Sequence, residues 1–167
     1  YGELDVPDAP RPPANIAVRV RGVNMGIQVR FSNEAELEGD NDTGVKDLAG
    51  YRVYRQEGSR LAPWTVVFDG PAGYLITAAA DSDVPFAGRE YWDSAVTPGV
   101  DYWYAVVAYD DGSQNWAEAG VSLESTRWWT WTGYAEAGIT AGIVVSTRDA
   151  VPSKFALRQN APNPFNP

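Results

Sequence analysis

From Tyr102 to Tyr109 the chain reads Tyr-Trp-Tyr-Ala-Val-Val-Ala-Tyr, bounded by the turn formers Thr97-Pro98-Gly99 and Asp110-Asp111-Gly112. Aromatic and β-branched crowding between turn signals predicts a strand. A period of two puts Tyr102, Tyr104, Val106 and Ala108 on one face and Trp103, Ala105, Val107 and Tyr109 on the other. Both faces are apolar, so the strand belongs at the centre of a sheet, with one face on the core and the other under a cover.

The same alternation predicts strands at Ile16 to Val20, at Ile27 to Phe31 with Ile27, Val29 and Phe31 inward, and at Asp47 to Arg55 with Tyr51 and Val53 on the core face. Arg52, Tyr54 and Arg55 then face solvent or the opposite rim. Further strands are predicted at Trp64 to Phe68, Tyr91 to Val96 and Val121 to Ser125. Gly70 to Gly88 reads as a long connection with an apolar patch at Tyr74-Leu75-Ile76. Ile139, Ala141, Ile143 and Val145 alternate on one face of a further strand, which follows the seven already predicted. The first residues, 1 to 13, carry Pro7, Pro10, Pro12 and Pro13 and read as an extended lead-in.

Val96-Thr97-Pro98-Gly99-Val100-Asp101-Tyr102-Trp103-Tyr104-Ala105-Val106 resembles the E–F corner and F strand of a fibronectin type III domain, with Tyr102 at the tyrosine-corner position. Asp47-Leu48-Ala49-Gly50-Tyr51-Arg52-Val53-Tyr54-Arg55 is similar to the C strand of bacterial modules of that type. The resemblance implies an all-β chain: a fibronectin type III or immunoglobulin-like antiparallel β-sandwich over residues 14–132, followed by an extended, strand-bearing C-terminal tail over 133–167. Phe31, where the family often has Trp, and the long Gly70–Gly88 connection depart from its pattern.

With 167 residues, 44% hydrophobic and 21% charged, the chain can bury a core and exceeds what one such sandwich needs. A net charge of −9 opposes nucleic acid and anionic membrane surfaces. No run of residues is apolar and long enough to predict membrane insertion. The absence of Cys removes disulfides and thiolate sites. The absence of His removes the usual general base and the commonest transition-metal ligand. Carboxylate-pair chemistry remains, but the acids cluster on loops, so no catalytic residue, cofactor or metal is expected.

Glu34, Glu36, Glu38, Asp40, Asp42 and Asp47 make an acidic loop. Its glycine at Gly44 comes one position early for an EF-hand and the closing Glu is missing, which favours a solvated loop over a calcium site. Trp128, Trp129 and Trp131 carry ~150–250 Å² of surface each. They are expected to cover the second face of the Tyr102–Tyr109 strand; lying open, they would instead form a platform for a sugar ring or a protein partner.

Val151 to Pro167, ending in Pro162-Asn163-Pro164-Phe165-Asn166-Pro167, resembles the opening of the C-terminal sorting domain of bacterial type IX secretion cargo. This implies an extracellular, cell-surface location and a sorting domain that is later lost; a start at Tyr1 fits mature material. The expected function is a non-enzymatic structural or adhesive protein that polymerises with copies of itself, its tail strand adding to the open edge of the next copy through Ile139, Ala141, Ile143 and Val145, helped by Phe155 and Leu157. The competing outcome is a strand that folds back on its own domain. The alternative function is an accessory module, binding polysaccharide or a surface protein, of a larger secreted enzyme.

Overall fold

A computed structural model describes residues 9–11, 13–21, 26–40, 43–116, 119–127, 130 and 139–140, with the side chains of 19–21 and 139–140 left out of account. Two four-stranded antiparallel sheets make a sandwich. Sheet A has the order β1-β2-β6-β5 and sheet B the order β4-β3-β7-β8. The strands are β1 (Ile16–Arg21), β2 (Gly26–Ser32), β3 (Leu48–Glu57), β4 (Thr65–Gly70), β5 (Ile76–Ala78), β6 (Gly88–Asp93), β7 (Asp101–Asp110) and β8 (Ile139–Thr140). Short 3-10 helices lie at Glu34–Glu36 and Ala72–Tyr74.

β7 is central, as its doubly apolar sequence requires, and pairs with β3 from Leu48↔Asp110 to Glu57↔Tyr102. Its even-numbered residues Tyr102, Tyr104, Val106 and Ala108 join Ile27, Val29, Phe31, Tyr51 and Val53 in the core between the sheets. Aromatic contacts tie the layers together: Phe31 on β2 meets Tyr51 on β3 edge-on at 4.9 Å, and Phe68 on β4 meets Tyr91 on β6 at 5.7 Å. On the far face, Ala105 and Val107 pack with Tyr54 and Trp64.

The strand expected at Tyr91 to Val96 lies three residues earlier, at Gly88–Asp93. Gly88 starts it because a Cβ there would sit 1.9 Å from the Phe31 carbonyl oxygen, so only glycine lets β6 reach β2. Asp93 ends it by turning its side chain back to accept the Ala95 N–H at 3.0 Å. The connection from Gly70 to Gly88 contains β5, which pairs with β6 from Ile76↔Glu90 to Ala78↔Gly88. The loop after β5 is pinned by Arg30, 3% exposed, which pairs with Asp81 at 2.6 Å and donates to the Ala79 carbonyl.

The registers also define two poles. Ile16, Phe31, Arg89, Leu48 and Asp110 lie at the first; Arg21, Gly26, Asp93, Glu57 and Asp101 lie at the second. The chain enters β1 at the first pole and leaves β8, at Thr140 beside Asp101, at the second. The described part of sheet B reaches Thr140.

Candidate functional site: the β7 edge and the two poles

One edge of β7 is taken by β3; the other faces the last part of the chain. Starting at the first pole, the Asp110 N–H donates to the Leu123 carbonyl at 3.2 Å, and Tyr109 and Glu124 form an isolated bridge. The Ser125 N–H donates to the Ala108 carbonyl at 2.9 Å, and Ser125 Oγ accepts the Ala108 N–H at 3.0 Å. Thr130 then replaces backbone with side chain: its Oγ1 accepts the Val106 N–H at 2.9 Å and donates to the Val106 carbonyl at 2.6 Å. Last, Ile139 and Thr140 pair with Tyr102 and Asp101. β8 also runs beside β1 of the other sheet.

The strand expected at Val121 to Ser125 is therefore a broken edge, because hydroxyl side chains supply part of the pairing. Between Ala108 and Tyr102 the cover of β7 advances six positions, while the covering chain advances fourteen, from Ser125 to Ile139, an excess of eight residues. Trp128, Trp129 and Trp131 fall between Ser125 and Ile139 in the sequence and lie outside the described residues. Among the described residues, the second face of β7 is covered by Trp64 and by the segment carrying Glu124 and Arg127. Glu124 accepts the Tyr54 hydroxyl at 2.9 Å and pairs with Arg52, while Arg127 stands 4.7 Å from the Tyr54 ring centroid.

Of the residues assigned to self-association, Ile139 is described only in its backbone, and Ala141, Ile143, Val145, Phe155 and Leu157 lie outside the described residues. At Ile139 and Thr140 the strand folds back on its own sheet rather than leaving it.

At the second pole, Tyr102 is 1% exposed and its hydroxyl oxygen accepts the Thr97 N–H at 2.8 Å, the tyrosine corner. Beside it, Asp93 is buried and accepts Arg55 Nη1 at 3.0 Å and the Tyr104 hydroxyl at 2.8 Å. Burial first, and then the Asp93 carboxylate, push the Tyr104 phenol far above its ordinary range, so it stays a donor.

At the first pole, Glu36 receives Arg89 through two parallel bonds, at 2.8 and 2.6 Å, and the Tyr51 hydroxyl at 3.3 Å. The Arg89 hydrogen bonds are the main cause holding this carboxyl below the usual range. Asp47 goes the other way: burial first, and then Asp110, raise it, and its Oδ2 is buried without a hydrogen bond. Asp40 spends Oδ1 on the Thr43 N–H and hydroxyl, at 2.7 and 2.8 Å. Among the described residues no three acidic side chains come together in a form that could hold a metal ion, and Asp42 lies outside them. A small depression of about 20 Å³ between Arg11, Glu38, Asp40 and Asp47 has room for about one water molecule.

The sequence reading missed Ser125, Thr130, Asp93 and the Glu36–Arg89 pair. Isolated hydroxyls carry no periodic signal, and an ion pair spanning 53 residues has no local one.

No family model matches the sequence, and no curated protein matches it. Among solved structures the chain is similar to a Fn3-like protein from Clostridium thermocellum, at 17% identity over 71% of this chain and 88% of that one, with a TM-score of 0.40. The all-β, fibronectin type III-like assignment rests on the sheet order and the tyrosine corner described above.

Proposed function

We propose that this chain is a non-enzymatic structural module of a secreted, surface-exposed bacterial protein, built to join end to end with copies of itself by exchanging its C-terminal strand. The observation that carries this reading is that the chain enters at one pole and leaves at the other, which is the geometry of a linear array. A head-to-tail contact of that kind does not close on itself and grows a fibre. Among the described residues β8 meets β7 at two facing pairs of positions, Ile139↔Tyr102 and Thr140↔Asp101, and a neighbour's β8 takes the same places in the exchange. Export rests on the resemblance of the C-terminal motif alone.

The accessory-module reading keeps one observation in its favour: β8 lies on its own β7, where an incoming strand would have to displace it. The chain has no Cys, so the double variant Asp101→Cys, Thr140→Cys separates the two readings at a facing pair of positions. Exchange predicts a ladder of disulfide-linked multimers on a non-reducing gel and filaments of the unmodified chain in the electron microscope. A disulfide closed only within monomers, with no filaments, removes self-association and leaves the accessory module.

A further inference from the structure

Four of the eight large hydrophobic side chains that stand exposed among the described residues lie at the first pole. Leu37 (68% exposed) and Val45 (48%) are on the loop between β2 and β3; Trp116 (74%) and Val121 (48%) are on the loop after β7. The two loops are tied where the Asp111 N–H donates to the Asp47 carbonyl at 2.9 Å. The second loop is shaped by Asn115, 1% exposed, which donates to the Val121 carbonyl and the Asp110 carboxylate. A tryptophan left in water next to a buried, hydrogen-bonded asparagine signals an interface. Its surroundings are acidic: Glu34, Glu36, Glu38, Asp40, Asp47 and Asp111 outnumber Arg11, Lys46 and Arg89.

The sequence beyond Thr140 has the opposite character. Its charged residues are Arg148, Lys154 and Arg158 against the single acid Asp149, and Phe155 and Leu157 sit between the last two bases. We infer that the first pole is the docking surface for this tail from a second copy of the chain, Phe155 and Leu157 covering the apolar side chains while Lys154 and Arg158 face the acids. The inference rests on the end-to-end reading above and adds the partner surface to it. Thr140 lies at the second pole, away from the first pole of its own copy and, in a linear array, beside that of the next. The route back is also open, since the fourteen residues from Thr140 to Lys154 span ~46 Å extended while the ten of β7 span ~33 Å. The test must therefore tell the two copies apart.

A photo-cross-linking phenylalanine analogue at position 155 of the full chain does so when ¹⁴N- and ¹⁵N-labelled preparations are mixed before irradiation. The expected result is mixed-isotope cross-links onto residues 34–47 and 110–121, weakening as sodium chloride is raised because the charges are exposed. Trp116→Ser should lower their yield about tenfold, while Leu61→Ser, at an exposed site on the second pole, should leave it unchanged. Cross-links confined to single copies, cross-links onto other surfaces, no cross-links, or indifference to Trp116→Ser would each overturn the inference. Mixed cross-links alongside disulfides closed only within monomers would keep the docking surface and reject strand exchange. A multimer ladder with cross-links elsewhere would do the reverse.

Discussion

Thr130 Oγ1 stands 2.9 Å from the Val106 nitrogen and 2.6 Å from the Val106 oxygen, so one hydroxyl does for the middle of β7 what a partner strand would do. The position is 1% exposed, where an unpaired backbone group has no water to turn to.

Thr130→Val keeps the shape and deletes both bonds. It should cost about 1–3 kcal/mol, seen as a lower midpoint in urea with the slope unchanged. A variant as stable as the parent would mean that another group takes up the Val106 backbone.

Tyr102→Phe removes the acceptor of the Thr97 N–H and leaves the ring in the core. A loss of about 1–3 kcal/mol is expected, or roughly 2–10 °C in Tm for a chain of this size. Scanning calorimetry of the two proteins checks it.

Glu36 carries a pH signature. Its carboxyl titrates lower in the folded chain than its ordinary value of 4.5, chiefly because of Arg89. Its stabilisation is therefore present above the unfolded pKa and is lost as pH falls through the lower, folded one. Glu36→Gln should be less stable than the parent by about 1–2 kcal/mol at pH 7. The gap should close on acidification below the usual carboxylate range, followed by denaturation at a series of pH values.

Asp47 should show the opposite sign. Its folded pKa is raised, so the folded state disfavours the charge at pH 7, and that penalty shrinks as pH falls through the folded pKa and is gone below the unfolded one. Asp47→Asn should raise Tm at neutral pH by on the order of 1–3 °C and make no difference once Asp47 is protonated in both states. A lower Tm at pH 7 would show that the carboxylate has a favourable partner.

Much of the architecture was legible in the order of residues. The alternation from Tyr102 to Tyr109 separated the two apolar faces of β7 because that signal is local, and the corner at Tyr102 followed from the resemblance of Pro98-Gly99 and Tyr102 to the fibronectin type III pattern. β5 was hidden, since three residues are too few to show a period, and the end of β6 depended on a carboxylate turning back on its own backbone. The closed edge of β7 was out of reach from sequence. Ser125, Thr130 and Thr140 look like ordinary polar residues, and their spacing fits no repeat; only folding sets Ser125 and Thr130 against the backbone groups they satisfy and Thr140 opposite Asp101. Periodicity records which way side chains point within one element, so the sequence by itself determined the longer strands and their two faces, and its resemblance to a known pattern carried the all-β class. Pairings between distant segments depend on where the sheets bring them together, so the tertiary structure alone decided which groups meet the β7 edge and that Ile16 of β1 and Thr140 of β8 lie at opposite poles.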